Sequence, residues 1–336
     1  MAERWFLNLI ISCLPDLSYR EKITLCESLD DESDLSRKSA SDIEALVGRE
    51  LKTWNVDSSR LTAERVAKKA RLRGINIVSW QSPLYPPLLR EIYDPPLLLF
   101  FRGKLPDPES PLVAVVGTRK PSPASSAQAF DIARGLGRGG ISVVSGLAVG
   151  IDSFAHRGNM EGGAPTVAVL GSGVDEIYPS SNRSLALRVL ETGGALLSEY
   201  PPGVRPRKWN FPARNRIISG LSRGVLIVEA PQKSGALITA RFALEQNRDL
   251  WTASSGVSSR GTDASGTDGA GKMFALYDKR GTSKLADDGA GVIKTASDIL
   301  EAWNIHVPDK VRAPEQSLTG GPAIAASLAE SLGVKF

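Results

Sequence analysis

The chain has 336 residues, 42% of them apolar, with 41 basic and 37 acidic side chains, two cysteines and two histidines. That length admits two domains with a sizeable core, whereas two cysteines exclude a disulfide scaffold and point to a reducing cytoplasm. Metal-site ligands are nearly lacking, and no run reaches the ~18 apolar residues of a membrane helix.

In chain order, "MAERWFLNLIISCLPD" holds a short apolar run with no basic leader and no A-x-A site, so a core helix is expected there rather than a signal peptide. Residues 1–75 read as several short helices joined by acidic, serine-rich connections such as "SLDDESDLSRKSASD". Residues 76–111 are rich in proline and are expected as an extended connection into a sheet. From Leu112 the pattern changes. "LVAVV", "ISVVS", "TVAVL", "GALLSE", "GVLIVEA" and "DLWTA" are short, β-branched apolar runs at the spacing of strand–helix–strand units. Continuous apolarity suits parallel strands buried on both faces. Between the first two, Ser122 is placed to cap a helix, Pro123 to begin it and Gly139-Gly140 to end it. The fold expected is α/β, a doubly wound and mostly parallel sheet over 112–300. "SSGVSSRGTDASGTDGAGK" reads as a mobile loop, and 301–336 as a loosely structured tail.

Charge sharpens the functional reading. The net charge is −1 over residues 1–110, +7 over 111–260 and −2 over 261–336, and Tyr200–Val228 holds six basic residues and no acidic one. Such a field favours a polyanion, most simply nucleic acid or a nucleotide; the competing reading is a solvated basic face. In a parallel sheet the ligand crest lies beyond the strand carboxyl ends. There the chain places Gly117, Thr118 and Arg119, then Ser145 and Gly146, then Gly171 and Gly173, then Lys233, Ser234 and Gly235. Small residues at several helix N-termini suit phosphate oxygens. In "RPRKWNFPARNR", Lys208, Phe211, Arg214, Asn215 and Arg216 interleave cations with an aromatic ring, as a single strand requires. Trp209 fits either a stacking platform or the core.

Other chemistry is poorly supported. No G-x-G-x-x-G follows a strand, and no acidic residue ends the second strand, so a nicotinamide enzyme is not expected. "GTDGAGKM" matches a phosphate-loop pattern, but Met273 stands where a hydroxyl belongs and no strand precedes it. Ser145, Asp152 and His156 lack a nucleophile-elbow context and fit a capping carboxylate beside a buried histidine.

Taken in order, "VAVVGTRKPS", "SGLAVGIDSFAH", "TVAVLGSGVDEIYPSSN", "LLSEYPPG", "FPARNRIISGLSRGVLIVEA" and "SGALITARFALEQNRDL" resemble the bacterial DNA-processing protein A (DprA/Smf) family. The resemblance runs from about Trp5 to Leu300. It implies an extended Rossmann-like domain behind a small helical domain like the sterile alpha motif. It also implies a non-catalytic, cofactor-free protein that binds incoming single-stranded DNA in natural transformation, loads the RecA recombinase onto it and acts as a homodimer. Carried over by motif, the DNA pocket falls on Arg119, Lys208 and Phe211. Arg214 and Arg216 are either DNA ligands or structural, Arg214 through Glu229. "SSG" at 254–256 departs from the family's "PG", residues 258–281 are unusually long, and 301–336 are too few for the winged-helix domain of many members. The alternative is a nucleotide-binding enzyme related to nucleoside-monophosphate phosphoribohydrolases, for which Glu229 is suitably placed but a "PGGxGT" loop is missing.

Overall fold

The computed structural model describes residues 4–258 and 277–305. Nine strands form one sheet, whose order follows from the chain. β1 (Asn76–Ser79) and β2 (Leu98–Gly103) come first, followed by β3 (Leu112–Val116), β4 (Ser142–Ser145), β5 (Val167–Val169) and β6 (Ala195–Ser198). β7 (Gly224–Ile227), β8 (Asp249–Ala253) and β9 (Gly291–Ile293) complete it, in the spatial order β1-β2-β6-β5-β4-β3-β7-β8-β9. From β6 to β9 all pairings are parallel, whereas β2 runs antiparallel to both β6 and β1. The chain moves outward from β3 to β6, then returns to the other side of β3 with β7. That reversal creates the crevice where doubly wound sheets bind ligands.

The six apolar runs of the middle region are all strands, and the alternation along β3 explains their continuous apolarity. Val113 and Val115 pack against α7 (Pro123–Arg138) and α8 (Ile151–Glu161) on one face. Leu112, Ala114 and Val116 pack against α10 (Asn210–Gly220) and α11 (Gly235–Glu245) on the other. Ser122 caps α7 as its sequence requires, its hydroxyl accepting from the Ser125 N–H at 3.3 Å with Pro123 in the first turn.

Two features lie beyond the sequence expectation. The stretch 76–111 contributes two strands, because Leu97, Leu98, Leu99 and Phe100 are too apolar to stay exposed and extend the sheet past β6. β9 forms from the short "GVI" at 291–293, where pairing with β8 supplies the order that local propensity does not. The segment 259–276, with most of the expected loop and the phosphate-loop look-alike, lies outside the described residues, as do 306–336.

The front of the chain folds into α1 (Trp5–Cys13), α2 (Tyr19–Ser28), α3 (Glu32–Arg37), α4 (Ala40–Val47) and α5 (Val56–Leu72). Their core is shared with the sheet: Leu9, Ile10, Leu25 and Ala63 cluster with Leu98 and Phe100 of β2, Ala168 of β5 and Leu196 of β6. No helix among the described residues is long and apolar enough to cross a membrane.

Candidate nucleic-acid interface

Glu229, just beyond β7, organises the crest. Its backbone oxygen accepts from the Thr118 N–H at 2.7 Å. Its buried carboxylate accepts from the Ser122 N–H at 3.1 and 3.3 Å and from the Ser122 hydroxyl at 2.5 Å. A carboxylate at the start of α7 is favoured by the helix dipole, and it fixes the turn that begins at Gly117. Within that turn the Thr118 hydroxyl oxygen accepts from the Lys120 N–H at 3.2 Å. Arg119 and Lys120 are left exposed on the rim.

Aromatic rings stand beside these cations. The Arg119 guanidinium carbon lies 5.9 Å from the centre of the Phe211 ring, and Phe211 lies 5.4 Å from Tyr178 at an interplanar angle of 39°. Asn210 holds Phe211 in place by donating to the Gly171 carbonyl at 2.8 Å. Trp209 is 67% exposed, so the open question of its role is answered against the core. Arg207 sits 5.5 Å from its ring centre, and Lys208 is exposed between Trp209 and Arg207. One turn along α10 from Phe211, Asn215 donates to the Gly235 carbonyl at 3.1 Å. This ties down the turn that presents Lys233, while Ser234 caps α11 by accepting from the Ala236 N–H at 3.2 Å. The result is an exposed surface of alternating guanidinium, ammonium and ring groups. Phosphate oxygens fit the cations, and unpaired bases fit the rings at ~1–3 kcal/mol per stack.

Four of the expected ligands are elsewhere. Ser145 is buried and its hydroxyl donates to the Val115 carbonyl at 2.7 Å, bracing β4 against β3. Gly146 is buried beneath Arg214: a Cβ there would come within 2.6 Å of Nη2 and 2.8 Å of the Asp152 carboxylate. Arg214 donates to the Gly146 carbonyl at 3.1 Å and is 5% exposed. Its electrostatic partner is Asp152, not Glu229; burial lowers its pKa to about 10 against the pull of that carboxylate. Arg216 is held in a bidentate pair with Glu199 at 2.9 and 2.6 Å and also donates to Asp94 at 2.8 Å. Burial opposes its charge, but the two carboxylates win and raise its pKa. His156 lies beneath the same region. The Thr166 hydroxyl donates to the Val143 carbonyl at 2.7 Å, so it must accept from His156 Nδ1 at 2.8 Å. Burial first, then the Arg214 charge, push the His156 pKa down to about 3. The ring is neutral and structural.

Two contributors escaped the sequence reading. Tyr178 joins the ring surface from the loop after β5, and the only signal for it was an aromatic residue directly before a proline. Asp175, three residues earlier, pairs with Arg73 beyond the end of α5 and accepts from the Gly203 N–H at 2.8 Å. One carboxylate therefore connects α5, the Tyr178 loop and the loop leading to Lys208.

The family model for DNA recombination-mediator protein A matches residues 76–304. DNA processing protein DprA of Bacillus subtilis is 38% identical over 238 residues, covering 70% of this chain and 74% of that protein. Protein Smf of Synechocystis is 50% identical over 174 residues, and this match spans only 44% of its length. Among solved structures, DprA from Streptococcus pneumoniae superposes with a TM-score of 0.67 at 31% identity, over 90% of this chain and 98% of that one. DNA processing protein A from Helicobacter pylori, characterised for its single-stranded DNA binding mode, gives a TM-score of 0.56 at 27% identity over 69% of this chain and 97% of that one.

Proposed function

The chain belongs to the DNA recombination-mediator protein A family, and from that we propose that it binds single-stranded DNA on the crest surface, protects it and loads the RecA recombinase onto it as a homodimer. The observation that carries the binding step is the row of exposed Arg119, half-buried Phe211 and exposed Tyr178, with exposed Lys208 three residues before Phe211. Arg119, Lys208 and Lys233 take phosphates, and Phe211 and Tyr178 take splayed bases. A duplex has its base faces occupied by stacking, so it meets only the cations and binds more weakly. Nucleotide hydrolysis is less well supported. The carboxylate it would need, Glu229, is 1% exposed and already accepts three hydrogen bonds from Ser122.

The test is binding of a labelled ~35-nucleotide strand and its duplex across a salt series, where phosphate contacts make affinity fall steeply with salt. Wild type is compared with Arg119→Glu/Lys208→Glu. The expected outcome is single-strand preference in wild type, lost in the variant. Binding indifferent to both substitutions would overturn the assignment.

A further inference from the structure

The crest is not the only acid-free basic stretch. From Arg65 to Arg90 the chain carries Arg65, Lys68, Lys69, Arg71, Arg73 and Arg90 and no acidic residue. Five of these lie in or just after the last turns of α5. Arg65, Lys68 and Arg71 recur every three residues, which places them along one stripe of the helix, and all three are exposed. None of the three, nor Lys69, has a carboxylate within ion-pairing distance among the described residues. Earlier in the helical region Arg49 pairs with Glu21 and Arg60 with Glu32. Glu64, one turn before Lys68, is the nearest carboxylate in sequence, so the stripe keeps an excess of positive charge, which fits a polyanionic partner.

The same end of α5 touches the crest loop through two neighbouring cations, Lys69 and Arg73. The Lys69 ammonium lies against Gly203, whose φ of +89° few other residues tolerate. Arg73 is paired to Asp175, which also holds the Gly203 N–H. The basic end of α5 is thus fastened to the loop that carries Arg205, Arg207 and Lys208. Lys208 is five residues from Gly203, at most roughly 18 Å of chain.

We propose that the exposed stripe Arg65–Lys68–Arg71 of α5 continues the crest as a second single-stranded DNA subsite, so that a strand leaving Phe211 and Lys208 passes over Arg207 and Arg205 onto the helical region. The inference rests on the crest being the DNA site. The crest supplies rings and cations, and α5 supplies cations with no exposed ring, so this subsite holds phosphate backbone without base stacking.

The test measures fluorescence anisotropy of a short (~8-nucleotide) and a long (~35-nucleotide) strand against salt, lengths chosen around the ~4–16 nucleotides a single binding module covers. Lys68→Glu/Arg71→Glu should weaken the long strand about tenfold and reduce its salt slope by about 1.4, at ~0.7 per lost phosphate contact. The short strand should bind as to wild type. Both substituted side chains are exposed, and circular dichroism checks that the fold is retained. If Lys68→Glu/Arg71→Glu binds both lengths like wild type while Arg119→Glu/Lys208→Glu binds neither, the crest stands and the α5 path falls, leaving an acidic protein as the better occupant. Equal weakening of both lengths would reduce α5 to a general field and overturn the path. Wild type binding no single strand would overturn both readings.

Discussion

Arg216 separates structure from binding in the basic stretch. Its guanidinium is 11% exposed and pairs with Glu199, 18% exposed, and Asp94, 42% exposed. Arg216→Ala leaves Glu199 without its counter-charge in a poorly hydrated site, and breaking a buried pair costs about 3–5 kcal/mol. Asp94 is hydrated enough that its share is under about 1 kcal/mol. Because Glu199 retains some water, the expected loss is near the lower end, about 3 kcal/mol. For a unit of this size that is a Tm decrease of roughly 6–12 °C, read by differential scanning fluorimetry. Replacing the pair, with Glu199→Gln/Arg216→Met, should recover most of the loss, since a buried pair exchanged for neutral side chains of similar volume is close to neutral. Affinity of the folded variants for single-stranded DNA should stay within about twofold of wild type, a change of under ~0.5 kcal/mol. A Tm within about 2 °C of wild type, combined with loss of DNA binding, would refute the reasoning and return Arg216 to the ligand set.

Two further perturbations probe the layer beneath the crest. His156 is held neutral, with its pKa lowered from 6.5 to about 3. The unfolded chain therefore binds a proton that the folded chain refuses. Stability contributed by the neutral ring is complete above pH 6.5 and is lost as pH falls toward 3, at about 1.4 kcal/mol per pH unit. His156→Gln should flatten the dependence of Tm between pH 6.5 and 5, and an unchanged profile would contradict the assignment. Gly146→Ala forces a methyl group between Arg214 and Asp152, both fixed by hydrogen bonds, and overpacking of this kind costs about 1–3 kcal/mol. A variant as stable as wild type by the same assay would show that the guanidinium is free to move.

Much of the frame was legible because its signals are local. Six apolar runs, the Ser122-Pro123 helix start and the glycine turns each lie within a few residues of the element they specify. The fates of Arg214 and Arg216 were not legible, because their partners come from distant parts of the chain. Asp94 is 122 residues from Arg216, and Gly146 is 68 from Arg214. The acid-free window from Tyr200 was also misleading at its edges. Glu199 sits one residue outside it, and that carboxylate neutralises a cation inside it. Counting charge along a chain treats every cation as equally available, whereas burial takes Arg214 and ion pairing takes Arg216 out of the six. The exposure of Arg119 and Lys208 was legible for the opposite reason: a turn and the approach to a helix leave such side chains open to water. Tyr178 and Asp175 were hidden because their importance comes from packing against Phe211 and α5, which only the folded chain brings near.

The pairing of β2 with β6 has a consequence for synthesis. Phe100 faces Ser198 across that ladder, and central β3 finds β7 only at Gly224. During translation the five helices, β1 and β2 emerge with one edge of β2 unpaired and with Leu99 lacking Ile217 and Ile218, which share its core cluster, and about a hundred further residues must follow before the strand that completes the ladder is available. At ~5–20 residues per second this is an interval of roughly 5–20 s. Nascent chains stalled before Ala195 should therefore recruit chaperones that bind apolar segments, and chains stalled well past Ser198 should release them.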